Sequence, residues 1–420
     1  MNESGSFFDL SIRFSTTRQQ AIKRAKRPLF PATFYFQEAF MDFSFTKEQL
    51  MFKEEVIRFA KKEIVPRMAE HELACAFDFE SFRKMGEFGI LGLHFPEELG
   101  GQGADVITTV LAGEALGEAG VDGGLTLAYG AHTFLCTDTL YRHGTDAQRK
   151  KYIPKLASGQ WIGCMGLTEP GAGSDVASMK TEAVKKGDTY VLNGSKIFIT
   201  NGPIADVAVV YAKTDPSQQH AGISAFVVEK GTPGFSAGEP LKKMGVHTSQ
   251  TSELFFNDCV IPAENLLGQE GMGFQMAMET VEWDRSALLA PFIGTGSYLL
   301  KKCVRYAKDR VQFGRSIGHF QATKHKIADI KIMLEAGRSL VYRIAWCKDS
   351  GKPLNHLEAA VAKLFAGDWT LQPINDAMLL FGGYGYCHEY DVERCFRDGR
   401  LAPIGGGTSD IQKMIISRLM

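Results

Sequence analysis

The chain is predicted to be a multi-domain α+β protein. An N-terminal α-helical domain leads into a central antiparallel β-barrel or sandwich, which is followed by a C-terminal four-helix bundle. Three observations predict this layout. Apolar residues recur at helical spacing from Met41 to about Ser158. Short β-rich runs, punctuated by Gly, Pro, Asn and Asp, fill the stretch from Trp161 to about Gly268. Helical spacing returns after Gly271 and continues to the end. The corresponding divisions are an extension at 1–40, a helical domain at 41–160, a β domain at 161–270 and a second helical domain at 271–420.

Taken in order, the first forty residues stand apart. Lys23, Arg24, Lys26 and Arg27 form a basic cluster, and Pro28 and Pro31 interrupt any regular element directly after it. Transit peptides are Arg- and Ser-rich and poor in acids, whereas Glu3, Asp9 and Glu38 lie here. The segment therefore reads as an extension that is disordered or not native. The expected location is cytoplasmic, or the mitochondrial matrix if the extension is a transit peptide after all.

Thr46-Lys-Glu-Gln49 has the spacing of a capping box, and Leu50, Phe52, Val56 and Phe59 supply an apolar helix face behind it. Further helices are expected over 79–89, 108–119, 125–143 and 146–157, with a glycine loop at 96–103. The strand candidates are 189–194, 196–200, 207–213, 223–229 and 252–257. Closely spaced strands without helices between them point to antiparallel pairing. The last helices are expected over 274–289, 297–310, 320–349 and 357–381, and again from Val392 onward.

Bulk properties exclude several functions. A formal net charge of −1 argues against a dedicated nucleic-acid surface. No apolar run reaches the roughly 18–20 residues needed to span a bilayer, so no stable membrane insertion is expected. The eight cysteines contain no C-x-x-C pair, which suits free thiols better than a disulfide framework, and no metal site is expected.

Five stretches could carry chemistry. Gly166-Leu-Thr-Glu-Pro-Gly-Ala-Gly-Ser-Asp175 combines glycines with the hydroxyls of Thr168 and Ser174. Such a loop allows close backbone approach to a polar ligand, or is simply a tight turn. Phe198 and Thr200 share one face at the end of a strand, an arrangement that suits a planar heterocycle or any strand end. Arg310-Val-Gln-Phe-Gly-Arg315 places two arginines beside a glycine turn, suited to a diphosphate or to solvent. The glycine loops at 381–386 and 405–410 lack a βαβ setting, so a Rossmann reading fails.

Asp284 is the most unusual single residue. At 3.6 residues per turn it shares a stripe with Ala277, Val281 and Leu288. A carboxylate thus stands where a core residue belongs, and needs either a cationic partner on a neighbouring helix or a task.

Together these motifs become specific. Residues 166–178 resemble the signature loop of the acyl-CoA dehydrogenase family, and 381–398 resemble its second signature, with Glu389, Arg394 and Asp398 in place. Segments 243–245, 255–268 and 310–314 resemble further family motifs in the same order, so the resemblance covers about 41–420. It implies the helical, β, helical fold read above, non-covalently bound FAD and a homotetramer in which a neighbouring subunit completes each cofactor site. It further implies that Leu167, Thr168, Gly173 and Ser174 line the flavin and thioester, with Phe198 and Thr200 against the isoalloxazine. Arg310, Phe313, Gln321, Gly382 and Gly383 would hold the adenosine diphosphate part. Thr408 and Asp410 would close the site, and Ser174 and Arg285 would meet the substrate, an acyl-CoA. Electrons would pass to an electron-transfer flavoprotein.

Some positions depart from the family pattern. Phe198 stands where Trp is usual, and Leu379 and His325 each replace a common Gln. The implied chemistry is removal of an α-proton by a carboxylate with transfer of the β-hydride to flavin N5. In most members the base is a Glu just before the Gly-Thr of the last loop, where this chain has Gly406. A minority, resembling isovaleryl- and long-chain acyl-CoA dehydrogenases, place a Glu just before the helix arginine, where this chain has Asp284. Asp is about 1.5 Å shorter than Glu, one C–C bond, which favours a bulky or cyclic acyl group. Glu282 lies about 200° round the helix and cannot substitute. The alternatives are a carrier-protein-bound acyl substrate, a non-oxidative elimination on the same flavin scaffold, and a non-enzymatic flavin-binding scaffold.

Overall fold

The computed structural model describes residues 44–351, 356–369 and 371–420, without the side chains of Glu282, Trp283, Asp284, Ser286 and Trp369. The expectation for the 1–40 extension falls outside the described residues.

The first part is helical: α1 (Lys47–Glu63), α2 (Met68–Ala74), α3 (Phe79–Glu87), α4 (Val106–Ala119), α5 (Gly123–Gly130), α6 (Asp138–His143) and α7 (Asp146–Ala157). The capping box starts α1 as expected. Thr46 Oγ1 accepts from the Gln49 N–H at 3.2 Å, and the Gln49 side chain accepts from the Thr46 N–H at 3.1 Å. Val56, Ile57 and Ala60 form the buried face, while Leu50 is exposed. Helices α5 and α6 are joined by a π-helical turn, Ala131–Thr137, which keeps the predicted 125–143 helix continuous but widens its middle.

The central strands are β1 (Gly163–Gly166), β2 (Glu182–Lys186), β3 (Thr189–Thr200), β4 (Val207–Lys213), β5 (Ile223–Glu229), β6 (Phe235–Ala237), β7 (Thr251–Pro262) and β8 (Leu266–Leu267). They form one open sheet in the order β6-β7-β3-β2-β4-β5-β8, with β1 added beside β4. It is not a closed barrel, and the sandwich description fits it. Most pairs are antiparallel, but β1 and β2 each run parallel to β4. Parallel neighbours need a long crossover, which for β1 and β4 is the glycine loop together with the β2–β3 hairpin. Along β4 the side chains of Ala208, Val210 and Ala212 enter the core between the folded halves of the sheet. Val207, Val209 and Tyr211 face the helices instead. Burial on both faces explains the unbroken apolar run at 207–212.

The last part comprises α8 (Gly273–Ala287), α9 (Ala290–Asp309), a short hairpin of β9 (Val311–Gln312) and β10 (Arg315–Ser316), α10 (Gln321–Asp349), α11 (His356–Leu364), α12 (Leu371–Phe381), α13 (Val392–Gly399) and α14 (Ser409–Leu419). The predicted 357–381 helix is divided by a second π-helical turn, Phe365–Trp369. Helices α9, α10 and α12 pack on one another, and α8 packs on α11. The tightest link between the helical parts is α4 against α9. A Cβ on Gly117 would lie 2.0 Å from the Pro291 carbonyl oxygen, and one on Gly294 would lie 2.0 Å from that of Glu114. Only glycine permits backbones this close. One core therefore spans both helical parts, with Leu116, Phe134, Ile293 and Val341 among its members.

Candidate active site

The glycine loop leaves β1 and turns sharply, with Glu169 and Ala172 exchanging backbone hydrogen bonds at 3.0 and 3.1 Å. It then lies on β3, where the Ile197 N–H donates to the Thr168 carbonyl at 2.9 Å. Leu167 is buried, Thr168 half-buried, and Gly173 and Ser174 exposed. Nothing lies within 4 Å of where a Cβ would stand on Gly171 or Gly173, so the loop presents bare backbone to open space.

Opposite the loop, β3 bulges between Lys196 and Ile199. Phe198 sits in the bulge with φ +60°, and its side chain is 65% exposed. A left-handed backbone costs a non-glycine residue roughly 1–2 kcal/mol, and this bulge turns the ring outward. Thr200, half-buried, ends the strand. Asn201 follows, fully buried, and its amide donates to the carbonyls of Ala128 at 2.9 Å and Gly163 at 3.2 Å. Bare loop backbone, the hydroxyls of Thr168, Ser174 and Thr200, and an outward aromatic ring fit a flat heterocycle with polar edges.

A buried ion pair, not anticipated from sequence, joins the two pieces. The Lys196 ammonium, fully buried, lies 2.7 Å from Glu169 Oε1 and donates to the Leu167 carbonyl at 3.3 Å. Glu169 also accepts from the Lys180 N–H at 2.5 Å and the Thr181 N–H at 2.9 Å. Burial pushes the Lys196 ammonium down to about 8 despite the facing carboxylate. For Glu169 the upward push of burial is outweighed by the Lys196 charge and the N–H donors, so its carboxyl lies below the usual range. An acid inside the loop and a lysine directly before the apolar run Ile197-Phe198-Ile199 were the available signals.

The second group gathers around a groove of about 480 Å³ lined by Tyr306, Arg310, Phe381, Gly383 and Tyr384, among others. The Arg310 guanidinium lies 5.3 Å from the centre of the Tyr384 ring. Gly382 opens a 3₁₀ turn with φ +61°, and both it and Gly383 face open space. Phe313 sits at the tip of the β9–β10 hairpin and is 93% exposed. It meets Phe320 edge-on at 6.1 Å, next to the exposed Gln321 that begins α10. The structure thus brings Arg310 and Gly383 into one groove and sets Phe313 and Gln321 together beyond it. Among the described residues, this groove shares no lining residue with the loop–β3 face.

The third group joins α8 to the last loop. Arg285 is buried, and its guanidinium lies 3.9 Å from where a Cβ would stand on Gly407. Gly406 and Gly407 both have positive φ, +64° and +92°. The buried Gln412 amide donates to both of their carbonyls, at 3.4 and 3.2 Å. Thr408 caps α14 by accepting from the Ile411 N–H at 3.3 Å, and Asp410 is exposed in the first turn. Residue 284 lies on α8 one position before Arg285; its side chain is outside what the structure describes. The first and third groups are connected through α5. Asn201 bonds to Ala128, and Leu288 fills the space beside Gly130, where a Cβ would come within 1.6 Å of its Cδ1.

The second signature carries structural roles as well. Arg394 is buried and donates to the Gly120 carbonyl at 3.3 Å. Asp398 accepts from the N–H groups of Gly123 at 3.0 Å and Val246 at 2.5 Å, tying three segments together. All eight cysteines are free thiols, and no described helix is long and apolar enough to cross a membrane.

A chain helical at both ends around a central sheet, with a glycine loop hydrogen-bonded to a strand that bears an exposed aromatic, suits a flavin-dependent oxidoreductase. The chain belongs to the acyl-CoA dehydrogenase family. Its residues 46–160, 164–259 and 271–420 match the N-terminal, middle and C-terminal domain models of that family. It is 43% identical over 377 residues to the short-chain-specific acyl-CoA dehydrogenase of Clostridium acetobutylicum, covering 90% of this chain and 99% of that one. Butyryl-CoA dehydrogenase from Megasphaera elsdenii superposes with a TM-score of 0.87 at 42% identity, covering 90% of this chain and 99% of the other. The prolyl acyl carrier protein oxidase AnaB superposes equally well, TM-score 0.87, at 37% identity and the same coverage. FAD is the cofactor of this family, and the loop–β3 face is the surface here that suits its ring.

Proposed function

We propose that the chain dehydrogenates an acyl-CoA thioester between its α- and β-carbons, with Asp284 as the base that removes the α-proton. The observation that carries this reading is the contact of α8 with the last loop. Arg285 lies against Gly407, so the helix that carries residue 284 meets the loop that carries the acid-free Gly406. With no carboxylate at 406, Asp284 is the acid one residue from that contact. In this reading its carboxylate takes the α-proton, and the electrons of that C–H bond form the new double bond as the β-hydrogen leaves with its pair. Bound FAD supplies the acceptor for that hydrogen and its electrons. Leu167, Thr168, Gly173, Ser174, Phe198 and Thr200 would line the ring and thioester, while Thr408 and Asp410 would close the site. Arg285 would steady the CoA part. The short Asp side chain favours a substrate whose α-carbon sits close to α8, such as a bulky or cyclic acyl group.

Dye reduction with a panel of linear, branched and cyclic acyl-CoAs, for wild type and Asp284→Asn, tests the assignment. A loss of about 10²–10⁴ in kcat is expected on removing a general base. Full activity in Asp284→Asn would overturn it.

The separation of the Arg310–Gly383 groove from the loop–β3 face supports a further reading. Arg310, Phe313, Gln321, Gly382 and Gly383 would hold the adenosine diphosphate of FAD bound mainly to a neighbouring subunit, within a homotetramer. Electrons would then leave to an electron-transfer flavoprotein. We place the working divisions of the chain at 41–160, 161–270 and 271–420, in a reducing compartment such as the cytoplasm.

The likeness to AnaB favours one second reading, a substrate carried on an acyl carrier protein. Anaerobic bleaching of the flavin by the carrier-bound acyl group, and not by the matching acyl-CoA, would select it.

A further inference from the structure

We propose that Lys196 is a positioning residue for the flavin-facing loop. Its ammonium, held between the Glu169 carboxylate and the Leu167 carbonyl, fixes residues 167–169 on β3 in the register that receives FAD. This rests on the flavin reading of the loop–β3 face.

Apolar packing of Leu167, Ala172 and Met179 holds the loop down but, being non-directional, does not fix its register. Gly171 and Gly173 border open space, and Ser174 is exposed. Among the described residues, the polar attachments of 167–169 to β3 are the Ile197–Thr168 backbone bond and the buried lysine beside it. The same lysine precedes Phe198 by two residues and Thr200 by four, so one side chain sets the loop's height above the strand that bears both. Glu169 completes the clamp from the other side by accepting from Lys180 and Thr181, where the chain leaves the loop for β2. Both ends of residues 169–180 are thereby tied to a single carboxylate.

Stability alone does not account for such a pair. Taking two charges out of water offsets most of their attraction, and a buried ion pair often folds no better than an apolar pair of equal volume. Such a pair does supply a directional constraint, because neither charge tolerates being left alone in the interior.

The constraint depends on the proton of Lys196. Glu169 is the charged group that faces the ammonium; the Leu167 carbonyl and the Met179 thioether, at 3.8 Å, complete its described contacts. Burial has lowered the ammonium to about 8. Above that pH it loses its proton, Glu169 keeps its charge with only the Lys180 and Thr181 N–H groups facing it, and the loop's hold on β3 weakens.

The test uses FAD-loaded wild type, Lys196→Met and Glu169→Gln. FAD release is followed by the return of free-flavin fluorescence after dilution, from pH 6 to pH 9.5, together with backbone hydrogen exchange over residues 167–181. Both variants are expected to release FAD at least tenfold faster than wild type at pH 7 and to exchange faster across that segment. Wild-type release is expected to accelerate through pH 8, release from Lys196→Met to stay flat, and the acceleration in Glu169→Gln to move to lower pH. A yellow Lys196→Met protein with the wild-type release rate and pH profile would overturn the proposal. Should that variant not fold, the isosteric Glu169→Gln decides: wild-type release from it overturns the proposal equally. Wild-type protein that takes up no FAD would overturn the flavin reading itself, a distinguishable result.

Discussion

Arg338 on α10 reaches Glu114 on α4 at 2.8 Å, with the Glu114 side chain only 1% exposed. The same carboxylate receives Lys53 from α1 at 2.9 Å and the Tyr342 hydroxyl at 2.6 Å. One acid thus ties together helices from both ends of the chain. Breaking a buried pair by removing one charge typically costs about 3–5 kcal/mol. Glu114→Gln is therefore expected to lower the thermal midpoint by several degrees, because Arg338 and Lys53 keep their charges. Differential scanning of the FAD-loaded protein checks this, and an unchanged midpoint would count against the role.

Asp398 makes stability depend on pH near neutrality. Burial, reinforced by Asp122 and Glu72, outweighs the Val246 N–H and Arg394 and pushes its carboxyl up to about 7. The unfolded chain releases this proton near pH 3.9, so between about 4 and 7 the folded state binds it more tightly. The stabilisation is fully present below pH 4 and is lost as pH rises through 7. From pH 6 to 8 a loss of about 1.4 kcal/mol is expected from this group. Melting curves of wild type and Asp398→Asn should diverge in pH dependence across that window; parallel curves would exclude the assignment.

Phe198 separates cofactor binding from folding. Its ring is largely exposed, so Phe198→Ala should leave the melting point of FAD-free protein nearly unchanged. Loss of ring contact should weaken FAD binding about tenfold, on the order of 1.4 kcal/mol. Titration of FAD into the two apoproteins measures both. Equal affinities would remove Phe198 from the flavin face.

Gly406 resists becoming the base. With φ +64°, a side chain there adopts a left-handed backbone at roughly 1–2 kcal/mol. Gly406→Glu should therefore lower the thermal midpoint, and in the Asp284→Asn background it should recover little of the lost dye reduction. Recovery to wild-type turnover with an unchanged midpoint would show that the last loop adapts freely.

Much of the fold was legible because local chemistry and tertiary packing agree. The Thr46–Gln49 capping box, the 207–213 and 223–229 strands and the long 320–349 helix all stand near their predicted limits. Three features were not legible. Strand β1 has two glycines in four residues and is held by pairing with β4, which no local pattern announces. The two π-helical turns preserve helical composition while changing geometry. The Lys196–Glu169 pair depends on two residues 27 positions apart in sequence. Motifs single out the candidate site residues, and they mark loops and strand ends well. Motifs do not show that Thr408 caps a helix or that Phe198 sits at positive φ, since both depend on backbone geometry.

The π-helical turn at Ala131–Thr137 has a consequence for how this chain tolerates changes of length. The widened turn is braced from within by the Thr137 hydroxyl, which donates to the His132 carbonyl five residues earlier at 2.7 Å. Deleting one residue here would leave an unbroken α-helix, so local helicity would survive. Everything upstream would then be rotated by about 100° relative to everything downstream. His132 bonds both α7 and β1, at Leu156 and Gly163, and could not keep these partners and its place in the helix together. A scan of single-residue deletions should find this stretch intolerant despite its helical sequence, with the exposed turn at 216–219 more forgiving.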